Sequence, residues 1–366
     1  MDALFQSIST VLINIQDPPG VIIGPISFVF GHIINFIYAG ISAITPVNAL
    51  GISIIIMTIL VRTPLIPNQI KMLQTSKKSQ LAKPEMDKIR EKYGNTKDPE
   101  LRRKMQAEIQ AVNQKYGINM LASCLPMLVS MPIFIALFSV FGRAFLFIPS
   151  FTDAYSALSQ TLIDLGVQWH QDVLAGILRD FNNIVGNTSF SGAGPSGVEG
   201  AFYSMDVGDM NRVIHLFTPE HWQTVFDSLT GEYASHLPIV QGAYDARQSM
   251  QSFFGLDLVT PSGWAWPGII IPILSTGTMV YSTWQNQKMN PATDPQQKMM
   301  QRMMMFVMPL MFGWFTVQAA SAVGLYWTAG NVFLIAQNLI VFKFFPHKLD
   351  PKAPSKDKKA KDRDRR

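Results

Sequence analysis

Charge is missing from long parts of this chain, and cysteine is nearly so, Cys124 being the only one. A lone cysteine permits no internal disulfide, so a region in an oxidising compartment must hold together by packing alone. The histidines His32, His170, His215, His221, His236 and His347 show no HExxH spacing, and no GxxxxGK loop is present to cradle a phosphate. These absences argue against a zinc hydrolase and a built-in ATPase. No internal repeat relates the two halves, unlike transporters built from paired repeats. No cofactor or metal is expected, and the chain is not read as an enzyme.

From Pro18 through Val61 there is no Asp, Glu, Lys or Arg. Further uncharged runs cover Ile118 to Gly142, Leu258 to Gln287 and Met303 to Phe342. Each reaches the roughly 20 residues that cross a bilayer core. The last holds 40 residues; as one helix it would measure about 60 Å, twice the hydrocarbon thickness. It is expected to fold back at the small, polar stretch Gln318 to Ala322, giving spans at Arg302 to Val317 and Val323 to Phe342. With the run ending at Arg62, five spans result. They hold no Asp or Glu, and Ser130, Ser139 and Ser275 are expected to satisfy neighbouring carbonyls rather than attack a substrate.

Orientation follows from Lys and Arg. Asn68 to Gly117 carries twelve of them against six acids, and the tail from Lys343 ten against four, whereas Ser150 to Asp257 carries three against twelve. Basic short loops stay in the cytoplasm. The N-terminus is then outside, the segment after Arg62 inside, the acidic insert outside and the tail inside. The net charge of +5 averages two opposite faces.

Val21 to Ile44 could be a sixth span. Its small or polar Ser27, Gly31, Asn35, Ala39 and Ser42 recur at helical spacing, with Ile26, Val29, Phe30, Ile33, Ile37 and Ile41 on other faces, and an interfacial helix is the preferred reading. The acidic start, with Asp2 and Asp17, disfavours a cytoplasmic N-terminus, and no signal peptide is read. The cytoplasmic segment reads as a helical hairpin with arms Gln69 to Tyr93 and Pro99 to Tyr116. Gly94 and Asn95 end the first arm, and Asp98 with Pro99 caps the second. Leu101, Met105, Ile109, Val112 and Tyr116 form its apolar stripe. In the outer insert, helices are expected at Thr152 to Val185 and, capped by Thr218, at Pro219 to Leu229; Gly186 to Gly200 reads as a flexible connection.

Arg62 is the one cation at the end of the first long apolar run. A charge near the middle of a membrane helix costs about 2.5 to 3.5 kcal/mol on insertion scales, so it normally faces protein or water. Either it snorkels to the cytoplasmic edge or it works in a wet recess. Met299, Met300, Met303, Met304, Met305, Met308 and Met311 crowd the start of the fourth span; such thioethers recur at promiscuous binding surfaces, although apolar filler is the plainer account.

The stretch GISIIIMTILVRTPLIPNQIK, the charged hairpin, then MLASCLPMLVSMPIFIALFSVF together resemble the YidC/Oxa membrane-protein insertases. The resemblance resumes at FGLDL, continues through IIIPILSTGTMVYSTWQNQKMNPATDP and ends with SAVGLYWTAGNVFLIAQNLI. The chain departs from that pattern between Gly142 and Leu258, where bacterial members have a short outer link.

The resemblance implies an all-α membrane protein: a five-transmembrane-helix insertase core with a cytoplasmic helical hairpin and an extracytoplasmic insert. The expected boundaries are 1–45 for the N-terminal segment with its interfacial helix, 46–68 for the first span and 69–117 for the hairpin. The second span follows at 118–142, the acidic insert at 143–257 and the third span at 258–287. A cytoplasmic loop at 288–301, spans at 302–317 and 323–344 and a basic, disordered tail at 345–366 complete the chain. The implied groove opens to cytoplasm and lipid. Arg62 matches its arginine, Thr58 stands one turn earlier, and Gln287, Tyr326, Trp327 and Asn331 are expected to line it. Such a recess would move short hydrophilic segments of nascent membrane proteins across the bilayer without ATP and release their apolar spans into lipid.

The implied partners are nascent membrane proteins, the ribosome through the basic hairpin and tail, and the lipid bilayer, with a Sec translocon left open. The expected unit is a monomer in the bacterial inner or plasma membrane. The competing readings are an anion channel or carrier using Arg62, and a scaffold that only anchors ribosomes.

Overall fold

A computed structural model describes residues 20–94, 98–118, 131–141, 144–177, 206–215, 217–289, 291–292 and 295–344, which are mostly helical. Most of the expected second span, with Cys124 and Ser130, lies outside these residues, as do the Gly/Ser-rich 186–200, the start of the chain and the tail. Helices α1 (Gly20–Ile44), α2 (Ala49–Arg62), α3 (Ile66–Tyr93) and α4 (Pro99–Lys115) precede the short apolar α5 (Met131–Phe141). Residues 149–251 carry α6 (Pro149–Ile163), α7 (Val207–His215), α8 (Pro219–Ser228) and α9 (Leu237–Gln251). A two-stranded antiparallel hairpin, β1 (Ser252–Phe253) and β2 (Leu256–Asp257), leads to α10 (Ile270–Met289), α11 (Pro295–Gln318) and α12 (Ser321–Phe344). Among the described residues, Ile23–Ile44 and the run Ala49–Tyr93 are long and apolar enough to cross a membrane.

The chain divides into two compact units, one of residues 1–57, 132–272 and 314–326, the other of 58–131, 273–313 and 327–366. In the first, α6 packs on α7 and α9, burying Phe151, Tyr155, Leu158 and Leu162. Burial pushes the Tyr155 hydroxyl up to about 12. Thr218 and His221 form a reciprocal capping box at α8, as the Thr-Pro signal predicts. The helix expected from Thr152 to Val185 is instead broken. α6 ends at Ile163, Gly166 takes φ +89°, and the chain restarts at Val167 with a π turn over His170–Leu174. Apolar spacing alone did not reveal that break, because only glycine adopts such a φ freely.

In α1 the inward stripe is Ser27, Gly31, Ile34 and Tyr38, while Phe28, Val29 and Phe36 are exposed. Ser27 and Gly31 turn inward, and the Phe147 ring fills the notch at Gly31.

The second unit contains the hairpin of α3 and α4. Gly94 ends α3 at φ +54°, and the Asp98 carboxylate accepts from the Glu100 N–H at 2.8 Å. Ala82 and Met86 meet Val112, with Ile89 and Tyr116 around them, whereas Leu101, at the far end of the expected stripe, is exposed. Beside this small core Glu85 binds Lys115 and Tyr116, and Glu108 binds Lys92 and Tyr93. α3 begins at Ile66, separated from α2 only by a 3-10 turn at Thr63–Leu65, so helix continues through the boundary drawn at 68.

Within the expected third span, 258–287, the helix begins late. Its uncharged run starts at Leu258, but helix starts at Ile270. Residues 258–269 form turns, since Pro261 and Pro267 interrupt a ladder of N–H donors and a Cβ at Gly268 would collide with the Ser262 carbonyl. Likewise α11 begins at Pro295, inside the expected loop 288–301, and the fold-back falls at Ala319–Ala320, within the predicted stretch.

Candidate functional site

α2 is an apolar helix whose last residue is Arg62. Thr58, one turn earlier, is fully buried, and Arg62 is half-buried. The Arg62 guanidinium lies against α12 at Gly330, in the space that a Cβ there would occupy. A glycine in mid-helix is normally a cost of about 1 kcal/mol relative to alanine; here it admits a flat cation to the helix backbone.

Two further expected residues, Trp327 and Asn331, stand one turn apart on α12 and share a cavity of about 170 Å³ with Ser275, Met279 and Phe312. The Trp327 and Phe312 rings meet edge to face, their centroids 4.8 Å apart. Asn331 Nδ2 donates to the Ser275 carbonyl and to Thr278 Oγ1, both at 3.4 Å. Below them, Asn338 Nδ2 donates to Gln285 Oε1 at 3.2 Å, both side chains being buried. α10 and α12 are thus joined by side-chain amides, which suits helices whose surroundings are too apolar to leave such groups unpaired.

Gln287 and Tyr326 do not line that cavity. Gln287 Nε2 donates to the Gln301 carbonyl at 2.7 Å, tying α10 to the start of α11. Tyr326 is buried, with its ring against Phe141 at 5.8 Å. Successive residues on a helix point about 100° apart, so Tyr326 and Trp327 face different neighbours despite their adjacency.

Sequence reasoning missed Gly330, Met279 and Phe312, and took Ser275 only as a carbonyl-satisfying serine. The glycine had a usable signal, since an isolated Gly within an apolar helix marks close approach; Met279 and Phe312 had none beyond apolarity. No group of three His, Cys, Asp or Glu among the described residues could hold a metal. The arrangement offers instead a cation seated on the backbone of α12 and, lined by other residues of that helix, an apolar cavity with one amide at its edge.

A family model described as 60Kd inner membrane protein matches residues 42–173 and 226–348. The interior gap in that match is 174–225, narrower than the departure read from Gly142 to Leu258. The membrane protein insertase MisCA of Bacillus subtilis is 26% identical over 291 residues, covering 80% of this chain and 69% of that protein. The membrane protein insertase YidC of Oceanobacillus iheyensis is 25% identical over 293 residues, 80% of this chain and 74% of its own. Over a shorter stretch of 96 residues, YidC 1 of Halalkalibacterium halodurans reaches 40%, covering 26% and 37% of the two chains. Matched over well more than half of its length, and in the order its motifs suggest, the chain belongs to the 60Kd inner membrane protein family, the YidC/Oxa family.

Proposed function

We propose that this protein is a membrane protein insertase of the bacterial cytoplasmic membrane, acting on nascent membrane proteins through a recess centred on Arg62. The observation that carries the reading is the half-buried Arg62 guanidinium held on Gly330 of α12. A guanidinium presents several donors in a fixed, planar fork, which suits a wet recess that must engage carboxylates and carbonyls in passing. It attracts carboxylates and carbonyls of a short hydrophilic segment, and the apolar remainder partitions into lipid at roughly 25 cal/mol per Å² buried. No nucleotide is needed for that step. The core is five spans with the N-terminus outside and the tail inside; Thr58, Trp327 and Asn331 belong to the recess, whereas Gln287 ties α10 to α11 and Tyr326 packs on Phe141. The basic hairpin and tail serve the ribosome.

Purified protein in liposomes without ATP tests this. It is expected to insert a small single-span substrate, and Arg62→Ala to impair a substrate with an acidic outer segment more than a purely apolar one. Ion flux without insertion would instead favour the channel.

A further inference from the structure

Three aromatic side chains stand bare in the segment that joins the insert to α10. Phe254 is 79% exposed at the tip of the β1–β2 hairpin, and Trp264 and Trp266, 60% and 79% exposed, lie in the turns before α10. We propose that these rings are seated at the boundary between headgroups and acyl chains of the outer leaflet, and that they moor the acidic insert to the membrane. The proposal rests on the membrane topology of the reading above and is independent of how Arg62 handles a substrate.

Conformation is the first argument. The hairpin turns through positive φ at both of its central residues, Phe254 at +48° and Gly255 at +81°. Asn, Asp and Gly normally fill such a turn, and a bulky residue there is an outlier. The Phe254 ring meets that of Phe253, centroids 4.8 Å apart, and is otherwise largely bare. A strained residue that gains so little inside the chain points to a use outside it. Placement is the second argument. Asn48 Oδ1 accepts the Phe254 N–H at 2.6 Å and the Phe253 ring fills a notch at Gly51, so the hairpin is fastened to the start of α2, the end opposite Arg62. Beyond the hairpin, the Leu258 and Thr260 carbonyls accept the Ala322 and Ser321 N–H groups at 2.8 and 2.9 Å, and the Gly263 N–H donates to the Val317 carbonyl at 3.1 Å. The Trp264 ring meets that of Trp314, centroids 5.3 Å apart. The three aromatics are thus held where α2 and α12 begin and α11 ends, and at the ends of membrane helices tryptophan is enriched. Charge is the third argument. From Ser252 to Ile269 the only charged residue is Asp257. Its carboxylate accepts from Gln248, Gln251 and the N–H groups of Val259 and Thr260. With no cation in the segment to hold a lipid phosphate, the attachment is apolar and indifferent to headgroup charge and salt. Because α9 ends at Gln251, directly before β1, a seated hairpin holds the insert to the leaflet.

The test places a nitroxide at Phe254→Cys, at Trp266→Cys or, as a reference, at Asp227→Cys, an exposed acidic position of the insert, in the full chain carrying Cys124→Ala. Each protein is reconstituted in liposomes of zwitterionic phospholipid, with or without phosphatidylglycerol. At 254 and 266 the label is expected to collide more often with oxygen, which concentrates among acyl chains, than with a water-soluble nickel chelate; at 227 the order is expected to reverse. The ratios at 254 and 266 are expected to be the same in both lipids and at low and high salt. Chelate collisions at 254 and 266 matching those at 227 would put the rings in water and overturn the proposal. Shielding from both reagents would reveal a protein cover, a second copy or a partner, and overturns it too, as does immersion in the anionic liposomes alone. In Phe254→Ser combined with Trp266→Ser, energy transfer from a dye at 227 to headgroup acceptors is expected to fall; unchanged transfer overturns the mooring. A protein that inserts no substrate yet shows the expected depths loses the insertase reading and keeps the mooring. Water-exposed labels in a protein that does insert substrate have the opposite result.

Discussion

Arg62 and Gly330 compete for one volume: the guanidinium stands where any side chain at 330 would begin. Gly330→Ala is therefore expected to displace the cation. Insertion of an acidic-tailed substrate should fall about tenfold, equivalent to about 1.4 kcal/mol. Because both changes remove one arrangement, Arg62→Ala combined with Gly330→Ala should be no worse than either alone. Additive losses in initial insertion rate would show that the two residues act separately.

The hairpin arms are expected to respond to pH. Bonds from Lys115 and Tyr116 hold the Glu85 carboxyl below its ordinary 4.5, and bonds from Lys92 and Tyr93 do the same for Glu108. A depressed carboxylate contributes stability that is present above its ordinary value and lost as pH falls through the folded one. The partner amines are raised above their ordinary 10.5, so their share is present below that value and lost at higher pH. The distance between spin labels on α3 and α4 should be narrowly distributed from about pH 5 to 10 and broaden on either side. A distribution unchanged at pH 3 would mean that the apolar contacts suffice.

Asn48 adopts φ +65°, and its Oδ1 accepts the Phe254 N–H at 2.6 Å. Glycine tolerates that φ, whereas alanine pays about 1 kcal/mol for it. Both Asn48→Gly and Asn48→Ala lose the bond; thermal unfolding in detergent should rank the alanine variant lower by roughly that amount. Equal midpoints would refute the backbone argument.

Arg247 is buried in the insert with its guanidinium over Tyr155, Trp222 and Tyr244, at 5.3, 4.8 and 5.2 Å from the ring centroids. Its Nη1 donates to the Ile214 carbonyl at 3.4 Å. Desolvated cation–π contacts reach about 2 kcal/mol each, so Arg247→Ala should destabilise the insert by about 3 kcal/mol. Arg247→Lys should restore little of it, because an ammonium cannot lie flat against three rings. Limited proteolysis of the insert reads both variants.

Much of this was legible in particular residues. Asp98 and Pro99 announced the start of α4, Thr218 that of α8, and the small stretch at 318–322 the turn between α11 and α12. Arg62 stood out because nothing charged precedes it back to Pro18. Other features were hidden. The late start of α10 depends on turns around Pro261, Pro267 and Gly268, which apolarity does not report. The amide of Gln287 binds a carbonyl in the next helix, and composition cannot choose between that and a groove wall.

By itself, the sequence determined which segments suit hydrocarbon and which face is basic, because transfer free energies and charge asymmetry sum over composition along the chain. Only the tertiary structure decided that Arg62 rests on Gly330, that Trp327 and Asn331 share a cavity, and that Tyr326 turns away to Phe141. Those outcomes depend on which helix faces meet, and a rotation of one residue, about 100°, changes every partner.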